Sequence, residues 1–199
     1  MKPLFKRLFL LTLTISSLSC SHDDDPAPVV PTPPVYEEQN PFEGYIIASG
    51  FTDVTPITTI QDTEFGLSFK PLVNGKITAI VTKFPTTNSH MRITFWNKSG
   101  SGSVIRTNYI NVATAGEEIT TVITPLNLVA NTEYMISFNS SDWYDHRKPP
   151  GTSTDYPFTI GDISITAFGI KSGTEQSIPN SFTNIFYKGD VSFKFLRTE

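Results

Sequence analysis

One cysteine, Cys20, stands in the whole sequence, and it lies close to the N-terminus. The chain beyond it can form no disulfide and offers no thiolate nucleophile or thiolate metal site. Any folded body must therefore be held by its hydrophobic core. Basic charge is also scarce: 15 Lys and Arg stand against 19 Asp and Glu, a formal net charge of −4. No basic run appears, which argues against nucleic acid as a partner and against electrostatic docking on an anionic membrane surface. The longest apolar run, Leu8 to Ile15, falls well short of the roughly 20 residues that span a bilayer as a helix.

Catalytic signatures are missing too. There is no HExxH, and Gly151-Thr152-Ser153-Thr154-Asp155 fails as a nucleophile elbow because it ends on Asp where Gly is needed. Glu117 and Glu118 are adjacent, so in a strand they diverge and cannot flank one glycosidic bond at roughly 5–10 Å. A non-enzyme is expected. The weaker alternative, a hydrolase, would have to pair His146 with Asp145 or Glu133. No cofactor is expected. Zinc finds only His90 and His146 beyond the N-terminal region. A structural calcium ion would draw on Asp142, Asp145 or the scattered Asp53, Asp62, Asp155 and Asp162, none in EF-hand spacing.

What is present begins with export. Lys2, Lys6 and Arg7 precede the short apolar run, and small residues lead to Ser17-Leu18-Ser19-Cys20, the layout of a cleaved signal. A cysteine at the cut resembles the lipobox of bacterial lipoproteins, although Ser17 holds the place where Leu is commonest. The following Ser21-His22-Asp23-Asp24-Asp25 resembles the acidic export tag of surface lipoproteins in the Bacteroidota. The resemblance implies removal of residues 1–19, lipid attachment at Cys20, and a membrane partner reached through that anchor. The implied location is the bacterial outer membrane, facing outward.

Residues 20–43 read as a tether. Six of the 15 prolines fall there, from Pro26 to Pro41, with the acids Asp23, Asp24, Asp25, Glu37, Glu38 and Glu43. Twenty such residues in a polyproline-like state reach about 60 Å. From Gly44 on, 12 basic residues face 13 acidic ones, so the acidity belongs to the tether.

Residues 44–199 alternate apolar and polar side chains in short runs separated by turn signals. Phe65, Leu67 and Phe69 share a face, as do Met91, Ile93 and Phe95, then Tyr134, Ile136 and Phe138, then Val191, Phe193 and Phe195. Further strands are predicted at Gly44–Ser49, Lys76–Phe84, Val104–Val112, Glu118–Thr124 and Ile163–Ile170. No stretch shows a helical period. About nine strands at this spacing predict an all-β fold, an antiparallel β-sandwich.

The ordered segments Glu64–Phe69, Asn74–Ile80, Ile93–Gly100, Pro125–Tyr134 and Tyr187–Phe193 resemble a bacterial cell-surface domain family of uncharacterised function. That family has a jelly-roll-like sandwich and often sits beside immunoglobulin-like or carbohydrate-active modules. The resemblance implies fold and location and brings no active site with it.

The most suggestive stretch for chemistry is the run 140–151, taken as a loop after a strand. Trp143, Tyr144, Asp145, His146 and Arg147 would offer flat rings for sugar C–H faces and hydrogen-bonding groups for hydroxyls. The same aromatics would equally plug an open end of the core. Trp96 faces away from Phe95 and would form an outer platform or pack under a loop. The expectation is a surface-displayed binding module, with glycan as the ligand. The alternative is an assembly or adhesion lipoprotein docking on another envelope protein.

Overall fold

In the computed structural model the described residues are 34–199. The signal, Cys20 and most of the tether lie outside them. No helix among the described residues is long and apolar enough to cross a membrane. Residues 35–199 form one compact unit.

The fold is mostly β, with one short helix and eleven strands where the sequence pattern predicts about nine. In chain order they are α1 (Pro41–Ala48), β1 (Asp53–Pro71), β2 (Gly75–Lys83), β3 (Asn88–Asn97), β4 (Ser103–Val112) and β5 (Glu118–Leu128). Then come β6 (Tyr134–Arg147), β7 (Phe158–Ile160), β8 (Ile163–Ser172), β9 (Ser181–Thr183), β10 (Phe186–Lys188) and β11 (Asp190–Arg197). All pairings are antiparallel. The large sheet runs β4-β3-β6-β1-β8-β7, with β10 on β6 and β9 on β8; the small sheet runs β11-β2-β5.

The predicted faces meet in register. Phe65 lies opposite Phe138, Leu67 opposite Ile136, and Phe69 opposite Tyr134. On the other side of β6, Ile93 pairs with Phe138 and Phe95 with Ile136. The small sheet returns Ile80 opposite Phe193. Side chains of the two inner faces interlock, with Phe69 and Phe193 rings 4.6 Å apart and Phe84 and Phe138 rings 5.3 Å apart. Each fully buried Phe contributes roughly 1.5–3 kcal/mol, which is how a chain without disulfides holds its sandwich.

The predicted strand at Gly44–Ser49 is helical instead. Tyr45-Ile46-Ile47 looks like a strand, but Pro41 supplies a helix start whose missing N–H costs nothing, and Glu43 sits in the first turn. Gly50 follows Ser49 at φ 73°, the left-handed stop that glycine allows. Phe42 and Tyr45 enter the core. The helix packs on β11 and β7, an edge strand of each sheet. The folded body also begins before Gly44: Gln39 pairs with Phe195 through two backbone hydrogen bonds of 2.8 Å. Residues 39–43 therefore belong to the domain and not to the tether.

The outer face of the large sheet is partly roofed by residues 173–180. Pro179 is buried there, and a Cβ on Gly66 or Gly169 would meet it at 3.0 and 3.2 Å. Gln176 Nε2 donates to Thr94 Oγ1 and Thr107 Oγ1, at 3.0 and 2.6 Å.

Candidate functional site

The run 140–147 is not a loop. It is the second half of β6, paired with the early part of β1 from Thr58 back to Asp53 and with β10. A strand sends successive side chains to opposite faces, so the predicted five-residue site divides.

Trp143 is only 5% exposed and packs its ring 4.8 Å from Phe65. The Lys188 ammonium lies 5.2 Å from the ring centroid. A ring covered in this way has no free face for a sugar, which corrects its assignment as a ligand platform. Asp145 is buried and accepts from Arg147 Nε at 2.7 Å. Arg147 alone of the five is exposed, and that bond ties its guanidinium to its own strand. On the opposite face, Tyr144 is half-buried with the Lys83 ammonium 5.5 Å from its ring centroid. His146 is buried, its Nε2 2.5 Å from Asp190 Oδ1. Its Nδ1 has no partner among the described residues, so no hydroxyl nucleophile is hydrogen-bonded to it there. Asp142, near the start of the run, is buried and takes hydrogen bonds from Thr86 and Ser140.

Trp96 is also corrected. It faces outward as its position requires, but it is 6% exposed. Its Nε1 donates to Ser137 Oγ at 2.8 Å, Ser137 donates to Glu64 Oε1 at 2.6 Å, and Arg92 Nη2 donates to Glu64 Oε2 at 2.7 Å. Glu64 is 1% exposed, and this chain of charge-assisted bonds is what makes its burial tolerable. Trp96 is thus a structural member of the outer face.

The same network leads to a groove on this face that combines an open ring with converging polar groups. It holds about 290 Å3, and its lining includes Asp62, Asn88, His90, Arg92, Tyr109, Asn139 and Thr174. The volume is at the small end of ligand clefts, roughly 300–1,000 Å3. Register places Arg92 opposite Tyr109. The Tyr109 ring is 56% exposed and lies 4.1 Å from the His90 ring, 12° from parallel. Arg92 keeps its place through Glu64 and through Nη1, which donates to Thr174 O at 3.0 Å, while Nε has no partner. Asn88 Oδ1 accepts from the His90 backbone N–H, and Asn139 donates to Gly173 O at 2.9 Å. Because Glu64 answers the guanidinium from below, the groove offers donors, acceptors and a ring face without a large excess of either charge.

Sequence reading passed over this groove. Tyr109 precedes the buried Ile110 in β4, so it had to point outward. That outward aromatic was the available signal. Nothing in the sequence places it beside His90 and residue 139, which come together only through sheet pairing. Among the described residues no group of three or more His, Cys, Asp or Glu is close enough to hold a metal ion. In comparisons with known proteins, no family model matches the chain and no curated protein matches it.

Proposed function

We propose that this is a non-catalytic binding module, exported, lipid-anchored through Cys20 and displayed outward from a bacterial outer membrane, with glycan as its ligand. The observation that carries the ligand class is the Tyr109–His90 stack beside Arg92, Asn88 and Asn139 in a polar groove. The exposed ring offers stacking to the C–H face of a sugar, and the amide, guanidinium and carboxylate groups match its hydroxyls. The site belongs to the sheet face and not to the predicted loop.

A glycan array probed with the domain tests this. Hits are expected that disappear in Tyr109→Ala and survive Tyr109→Phe within a few fold, because Phe keeps the ring. An empty array, or hits indifferent to Tyr109→Ala, would overturn the reading. The anchor has its own test: fatty-acid label should appear on the wild type and be lost in Cys20→Ala.

One observation favours docking on an envelope protein as a second reading. Both sheets end in a free strand with apolar side chains outward, Val104 and Ile105 on β4 and the 82% exposed Val122 on β5. Free edges of this kind accept an added strand. Ile105→Lys and Val122→Lys should then release a co-purifying partner while leaving sugar binding intact.

A further inference from the structure

A second pocket, of about 180 Å3, lies on the other side of the molecule between α1 and the small sheet. Register sets its floor. Lys83 lies opposite both Asp190 and Glu118, and Val81 opposite Ser192. These residues share the outer face of the small sheet, opposite to Ile80 and Phe193 in the core. Phe42 and Ile46 of α1 and Val81 of β2 supply the apolar wall. The volume compares with the cavity of about 150 Å3 that accepts benzene in an engineered protein core.

The polar side of the pocket carries three carboxylates, Glu43, Glu118 and Asp190, against one lysine, Lys83. Glu43 and Glu118 stand at the rim, and neither has an ion-pair partner among the described residues. Lys83, the cation nearest to them along the lining, has its ammonium over the Tyr144 ring. Asp190 completes the acidic side and is engaged by His146. His146 also lines the pocket and is 4% exposed.

We infer that this pocket binds a small amphipathic cation: an apolar body of about one ring, carrying an ammonium or similar donor group that meets the Glu43 and Glu118 side. An anion of the same shape would face two unpaired carboxylates, and a neutral one would leave them without a partner. The site is separate from the sugar groove and stands or falls independently of it.

The probes are benzylamine, benzyl alcohol and benzoate, added to the chain from residue 20 onward with Cys20→Ala and followed by NMR. Benzylamine should give saturable shifts at Ile46 and Val81, and benzoate should give none at the same concentration. Glu43→Gln and Glu118→Gln, both exposed substitutions that leave the core alone, should each weaken benzylamine about threefold, the scale of a solvated ion pair. Ile46→Trp should fill the pocket and abolish the shifts. Benzoate binding as well as benzylamine, affinity unchanged in both Gln variants, or the absence of saturable shifts at Ile46 and Val81 would overturn the proposal. Glycan binding through Tyr109 should be the same in all of these variants.

Discussion

Trp143 shows at single-residue scale how a polar neighbourhood disguises a core position. Its neighbours Asp142, Tyr144 and Asp145 gave the run a loop-like character, yet Asp142 accepts from Thr86 and Ser140, Asp145 accepts from Arg147 through one oxygen, and both are buried. Carboxylates enter a strand when each finds a local donor, and no composition rule reveals that the donor is a threonine 56 residues away. Trp143→Ala should cost ~3–5 kcal/mol, read as a lower urea midpoint. Sugar binding by the folded fraction should be retained, since Trp143 is not in the groove. A loop tryptophan contacting ligand would give the reverse, normal stability and lost binding. Gly189 illustrates the other extreme of legibility. The Lys188-Gly189-Asp190 turn was readable because glycine adopts its φ of 83° without strain. Its closeness to Phe138, where a Cβ would fall 2.1 Å from the ring, was not.

Strands with two-residue apolar periods were the legible elements. Eight of the nine predicted runs overlap observed strands, because alternation is imposed by a sheet with one buried face. The three-residue strands β7, β9 and β10 were missed, being too short to carry a period. The early half of β1 was missed for another reason: residues 53–60 expose most side chains and owe their strand form to pairing with β6. Helix α1 had its Pro41 and Gly50 punctuation in the sequence, but its apolar residues lack helical spacing. Its stability comes from tertiary contact, Phe42 against Tyr187 at 4.7 Å and Tyr45 bonded to Tyr156 at 2.6 Å. Phe42→Ala is therefore expected to cost ~3 kcal/mol and to raise hydrogen exchange across residues 41–49 by more than elsewhere. Uniform exchange through the chain would show that α1 does not dock as an independent element.

Buried tyrosines make the stability of the whole molecule fall at high pH, and one carboxylate adds a small dependence in acid. Burial raises the Tyr187 hydroxyl well above its ordinary 10.0, with Asp190 and Tyr45 adding to it. Burial likewise raises Tyr45, partly offset by its bond to Tyr156, and raises Tyr156, where Tyr45 adds to the effect. The unfolded chain ionises these groups near 10.0 while the fold keeps them neutral. Their stabilisation is complete below that pH and is lost as pH rises above it. Partial burial raises the Glu133 carboxyl, but hydrogen bonds from Lys98 and Thr166 and the charges of Lys98 and Lys70 outweigh it and hold the group below its ordinary 4.5. Its contribution is present above that value and fades as pH falls through the lowered one. Because Glu133 is about a third exposed, solvent screening keeps the effect small. Urea midpoints should fall beyond pH 10, less steeply in Tyr156→Phe. The small deficit of Glu133→Gln against wild type should vanish in acid.

The sequence by itself determined the all-β character, the inner faces of the long strands and the lack of any disulfide. Each follows from a local rule: period-two alternation, glycine at turns, and cysteine count. Only the tertiary structure decided which polar residues are buried, that a strand-like segment becomes a helix, and where an open aromatic meets polar groups. Those outcomes depend on partners far apart in the chain. Glu64 is buried because Arg92 and Ser137 reach it, and Tyr109 belongs to a groove because β4 pairs with β3.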